Sequence, residues 1–171
     1  MPTCPLVGAA RKDVGRMTWL DFLTIGFCLV ILVIEVKRGA ICAIIDTVGC
    51  WIALKTAALT YQSFASASFS YAASYMTVFL VLVVITAVIS TLVKMRTETD
   101  LGPFDSAIAA ALGVLTGLFF GHVAFGAAVL HFGPEYKPFA EAVFRSQVYE
   151  IKGIKGFLDF MGRIGGTDVA H

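Results

Sequence analysis

The sequence predicts an all-α membrane protein: four transmembrane helices followed by a C-terminal amphipathic interfacial helical segment. Three observations predict it. The 171-residue chain is 58% hydrophobic and 15% charged, with a mean hydropathy of +0.83, whereas soluble domains are nearer half apolar and a quarter charged. The apolar residues gather into four stretches, each close to the ~20 residues that carry a helix across a hydrocarbon core of about 30 Å. The charged residues lie mainly between those stretches. Residues 17–133 are therefore read as one four-helix transmembrane domain, and too little aqueous sequence remains for a soluble catalytic domain.

Residues 1–16 form an N-terminal segment outside the bundle, carrying Arg11, Lys12 and Arg16. Met17 stands directly before Thr18-Trp19-Leu20-Asp21, so a translation start there would leave the segment unmade; if made, it is expected to be disordered. The first span runs from about Thr18 to Val36. Basic residues ahead of an apolar run also suit a cleaved signal peptide, but this run ends in Glu35-Val36-Lys37-Arg38 without a small-x-small cleavage site. A retained helix is the reading. Gly39 then supplies the backbone freedom for a tight hairpin into a second span, about Gly39 to Tyr61. A single bent helix over 18–61 would hold Lys37 and Arg38 at mid-membrane.

Residues 62–74 are uncharged and rich in Ser and Ala, and read as a loop or an interfacial segment. The third span, Tyr75 to Val93, contains no charge. A polar connection follows, and Pro103 and Asp105 suit the N-terminus of a fourth helix, about Ser106 to His131. After Gly133-Pro134 the pattern changes. Phe139, Val143, Phe144, Val148, Ile151, Ile154, Leu158 and Met161 recur at helical spacing between basic residues, so 134–171 reads as amphipathic helix in the membrane plane. A helical cap packed on the bundle is the alternative.

Four spans put the N-terminus, the 62–74 loop and the tail on one side. The opposite loops carry Lys37, Arg38, Lys94 and Arg96, and the positive-inside rule then favours an N-out, C-out arrangement. Arg11, Lys12, Arg16 and the basic tail oppose it. The net charge of +1 argues neither for nor against nucleic acid, but the basic residues form no patch interleaved by aromatics, so nucleic acid is not an expected partner. Cys4, Cys28, Cys42 and Cys50 follow no metal or redox spacing and read as packing residues.

Ionisable groups inside a membrane span cost enough to be functional candidates. Asp21 and Lys55 lie at similar depth on antiparallel spans, which allows a salt bridge; Asp21 capping its helix while Lys55 snorkels outward is the equal alternative. Asp46 lies about 10 Å inside the second span by helical rise, on a face with Gly49, Cys50, Ala53 and Ala57. It is either an interhelical hydrogen-bonding group or a proton or ion ligand in a polar crevice. Asp105 completes the set of candidate polar residues. In the fourth span Ala109, Gly113, Gly117 and Gly121 recur every four residues, a stripe that lets a neighbouring backbone approach closely. With Gly39, these are the predicted packing positions. The spans are expected to associate as two tight pairs. His122 and His131 lie apart without a second ligand at metal spacing, and no hydrolase, Walker or zincin motif occurs. No catalytic residue, metal or cofactor is predicted.

With these residues in place, the chain resembles the colicin V production (CvpA) family of bacterial inner-membrane proteins over roughly Thr18 to Ile164. The resemblance rests on Trp19-Leu20-Asp21 opening an apolar helix, on the Lys37-Arg38-Gly39 hairpin, and above all on Phe104-Asp105 followed by Gly113 and Gly117. Ala109 and Ser106 depart from the family pattern, which has a glycine and a basic residue there. The resemblance implies a non-enzymatic, multi-pass inner-membrane protein supporting toxin production or export, or envelope homeostasis. Its expected partners are the lipid bilayer and other membrane proteins or further copies of itself. A small transporter or channel, with Asp21 and Asp46 lining a polar path, is the competing expectation.

Overall fold

The computed structural model describes residues 17–65, 70–96 and 104–149. Among them are four long helices, α1 (Trp19–Arg38), α2 (Ala40–Phe64), α3 (Tyr71–Arg96) and α4 (Asp105–Phe132). All four are long and apolar enough to cross a membrane. A short helix, α5 (Lys137–Ala140), and a π-helical turn, Arg145–Tyr149, follow. The N-terminal segment 1–16 lies outside the described residues.

The hairpin between α1 and α2 is a single residue. Gly39 ends α1 by donating its amide to the Glu35 carbonyl at 2.8 Å and turns with φ of +92°, a backbone region that a side chain disfavours. α3 starts at Tyr71 rather than at the predicted Tyr75. The Ser70 hydroxyl accepts the Ala73 amide at 3.2 Å, which caps the helix early, and Ala72 and Ser74 are already buried.

The helices do associate in two tight pairs, but not as sequence neighbours: α1 packs chiefly on α4, and α2 chiefly on α3. Missing side chains set both contacts. A β-carbon on Gly113, Gly117 or Gly121 would stand 2.8, 2.5 or 2.6 Å from Leu32 Cα, Cys28 Cα or Thr24 Cγ2 of α1. Ala109 extends that stripe and is fully buried. Gly49 of α2 lies equally tight against Thr86 of α3. Lipid offers no hydrophobic incentive for helices to associate, so close backbone approach, with its dense van der Waals contact, carries the assembly. Between the pairs, Phe79, Phe119 and Val123 fill a core with Cys50, Ala53 and Ala57, and the Thr116 hydroxyl meets that of Thr47 at 2.9 Å. Outward, Leu29, Val30 and Val33 of α1 and Val84, Ile85 and Val88 of α3 are exposed, presenting an apolar surface.

The tail departs from the expected in-plane helix over its described part. Residues 134–149 fold back as α5 and the π-helical turn, with Phe139 and Val148 buried beside Leu20, Phe125 and Ala128. The bundle end offers an apolar seat of its own, which competes with the bilayer interface for these side chains. The remaining predicted positions, from Ile151 to Met161, lie outside the described residues.

Candidate functional site

The hairpin end of the bundle places three charged groups together. Glu35 sits in the last turn of α1, one turn before Arg38, and its side chain lies over Gly113: a β-carbon on that glycine would be 3.3 Å from Glu35 Cβ. Arg38 turns inward from the end of α1 and forms an ion pair with Asp46 of α2. The same nitrogen, Nη1, stands 3.8 Å from Glu35 Oε1. Its other nitrogen, Nη2, donates to the Ser90 hydroxyl at 2.6 Å and the Thr91 hydroxyl at 3.2 Å on α3. One guanidinium thus joins α1, α2 and α3. Its planar fork of donors suits several acceptors at once in a way that a lysine ammonium does not.

Glu35 and Asp46 are 3% and 8% exposed, which makes their unsatisfied atoms informative. Glu35 Oε2 and Asp46 Oδ1 are buried and meet no donor group of the surrounding helices. Both residues line a half-open cleft of about 200 Å³, together with Ile31, Ile34 and Arg38 of α1, Cys50 of α2, Val83, Thr86 and Ala87 of α3, and Thr116 and Phe120 of α4. The cleft exists because α1 and α3 scarcely touch; Arg38 bridges them only at one end. The two carboxyls also lie within hydrogen-bond reach of each other, so one proton shared between them leaves the cluster neutral with Arg38, whereas with both ionised it carries −1 inside the bundle, where an unbalanced charge is costly.

The other candidates have structural partners. Asp105 Oδ1 accepts the Ala40 amide at 3.1 Å, so a carboxylate from α4 satisfies the first free amide of α2, where the helix dipole also favours negative charge. Its Oδ2 would lie 2.9 Å from a β-carbon on Gly39, so the glycine is needed for contact as well as for φ. Lys94 Nζ reaches the Lys37 carbonyl at 3.3 Å at the same end. At the opposite end Asp21 is fully buried. Its Oδ2 accepts the Thr18 amide and hydroxyl at 2.8 and 3.0 Å. The Val143 amide also donates to Oδ2 at 3.2 Å, and the Phe144 amide donates to Oδ1 at 2.9 Å. Lys55 is exposed, and no ion pair joins it to Asp21, which corrects one of the two readings of that pair. α1 packs chiefly on α4 rather than on α2.

Sequence reasoning missed Glu35 and Arg38, reading them as the polar end of a span. A signal was present: Glu35, Arg38 and Asp46 flank a one-glycine hairpin, and a turn that tight folds them towards each other. His122 meets the Val148 carbonyl at 2.7 Å through Nδ1, and His131 packs against Phe132. Among the described residues no group of three His, Cys, Asp or Glu side chains could hold a metal ion.

No protein-family model, curated protein or solved structure matches this chain. Its reading rests on the residues themselves: four apolar helices of an integral membrane protein, enclosing one charged cleft among the described residues.

Proposed function

We propose that this chain is a non-enzymatic, multi-pass protein of the bacterial inner membrane. In this reading it supports toxin production or export, or envelope homeostasis, as colicin V production proteins do. It acts through contacts with other membrane proteins or with further copies of itself, and stands N-out, C-out. The observation that supports the reading is that two of the segments carrying the resemblance meet in space. The Lys37-Arg38-Gly39 hairpin lies against Asp105, which holds the Ala40 amide. The ionisable groups inside the bundle are used to join helices, with Arg38 linking three of them, an arrangement suited to a scaffold. Expression in a bacterial strain lacking its own colicin V production protein tests the proposal. Restored toxin export or detergent resistance is expected, and no restoration at normal membrane abundance counts against it.

A second reading, a small transporter, is favoured by one observation: Asp46 lines a cleft instead of being sealed against helix backbones. Cation flux in proteoliposomes that is abolished by Asp46→Asn would support it. Flux insensitive to that change would dismiss it.

A further inference from the structure

We propose that the cleft between α1 and α3 is a binding site for the primary ammonium group of a small amphipathic amine. The inference goes beyond both functional readings, in which the charges of the cleft join helices or line a path. The acceptors at the cleft outnumber the donors. Glu35 and Asp46 bring four carboxylate oxygens, and Arg38 Nη1 engages one of each, leaving Glu35 Oε2 and Asp46 Oδ1 buried without a donor group from the surrounding helices. Glu35 and Asp46 lie within hydrogen-bond reach of each other and can share one proton; a bound group that supplies N–H donors and one positive charge takes that proton's place, satisfies both oxygens and keeps the cluster neutral.

The surroundings choose among cations. A hard metal ion takes about six or more oxygen ligands, whereas the cleft has two free carboxylate oxygens and otherwise mostly apolar walls, Ile34, Val83, Ala87 and Phe120 among them. An ammonium needs only two or three acceptors, and an attached hydrocarbon chain would cover those walls. The cleft, about 200 Å³, exceeds the ~150 Å³ cavity that accepts a benzene ring. Arg38 is one-fifth exposed at the side chain, so it stands at the edge of the site, where a guanidinium can shift as an amine enters. The amine could be a free alkylamine or the headgroup of an aminophospholipid.

The test uses the full chain in nanodiscs of phosphatidylcholine, with n-hexylammonium as probe and n-hexanol as its neutral counterpart, read by calorimetry. The ammonium is expected to bind and the alcohol to bind at least about tenfold more weakly, the loss that follows from removing hydrogen bonds to charged groups. Glu35→Gln and Asp46→Asn should each weaken the ammonium about tenfold or more. Ala87→Leu, which leaves every charge in place and fills the cleft from α3, should abolish binding, so the test survives if a charge variant fails to fold. Repeating the titration in discs containing phosphatidylethanolamine separates the sources. Weaker apparent hexylammonium binding there identifies a lipid headgroup, and unchanged binding identifies a free amine. Equal affinity for the alcohol, absence of binding, or full binding by Ala87→Leu would overturn the proposal. None of these results bears on toxin export or on ion flux, so the proposal can fail while either functional reading stands.

Discussion

Arg38 and Asp46 lie eight residues apart in sequence, on opposite arms of a one-glycine hairpin, and form an ion pair inside the helix bundle. The guanidinium continues to Ser90 and Thr91, so the hairpin is fastened to α3 as well. Removing one partner of a buried pair leaves the other charge uncompensated. Arg38→Ala should therefore destabilise the bundle by about 3 kcal/mol, the lower end of the range for buried pairs because Arg38 is partly exposed. Unfolding in mixed detergent micelles measures this. Adding Asp46→Asn and Glu35→Gln to Arg38→Ala should recover much of the loss, since no orphaned charge would remain.

The glycines of α4 predict a graded response. Gly117 faces Cys28 backbone, so Gly117→Ala forces α1 and α4 apart and should cost about 1–3 kcal/mol, the usual cost of overpacking. Gly26 of α1 has open space where a β-carbon would stand. Gly26→Ala should be neutral or stabilising by up to about 1 kcal/mol, from helix propensity alone. Equal effects at the two positions would contradict the packing described for α1 and α4.

At the hairpin, Gly39 has φ of +92° and touches Asp105. Gly39→Ala should cost about 1–3 kcal/mol from the positive-φ, extended backbone alone, with a further loss from crowding the carboxylate. Asp105→Asn keeps an acceptor for the Ala40 amide and should be milder than Asp105→Ala. The same unfolding titration ranks the three.

Asp21 predicts a local effect at the other end of the molecule. Its carboxylate holds the amides of Val143 and Phe144, which fastens the tail to the start of α1. In Asp21→Ala those two amides should exchange with solvent about tenfold faster or more, the loss of a charge-assisted hydrogen bond. Amides in the middle of α4 should be unchanged. Hydrogen exchange with residue resolution would show whether the loss stays local.

Much of this was legible from particular residues. Unbroken apolar runs gave the four helices, because a bilayer demands length and hydrophobicity whatever the partners. Gly39 gave the hairpin, and the four-residue spacing from Ala109 to Gly121 gave a packing face. What escaped was which helix lies beside which. Depth along a span follows from counting residues, so Asp21 and Lys55 were placed level. The direction each side chain takes around its helix depends on partner choice, and α1 chose α4. Arg38 escaped for a related reason. A cation at the end of an apolar run looks like a loop residue unless the turn after it is known to aim it inward. Ser70 was readable as a helix cap, but the uncharged Ser and Ala residues around it offered no contrast.

The charged cleft that joins α1, α2 and α3 is also the proposed working part of this membrane protein. Complementation with the triple variant Arg38→Ala, Glu35→Gln, Asp46→Asn, which leaves no orphaned charge, tests it most directly, in the strain lacking a colicin V production protein and at membrane abundance matched to the unaltered chain. The account predicts that the variant reaches the membrane, resists unfolding, and fails to restore toxin export or detergent resistance. Full restoration by that variant would contradict it.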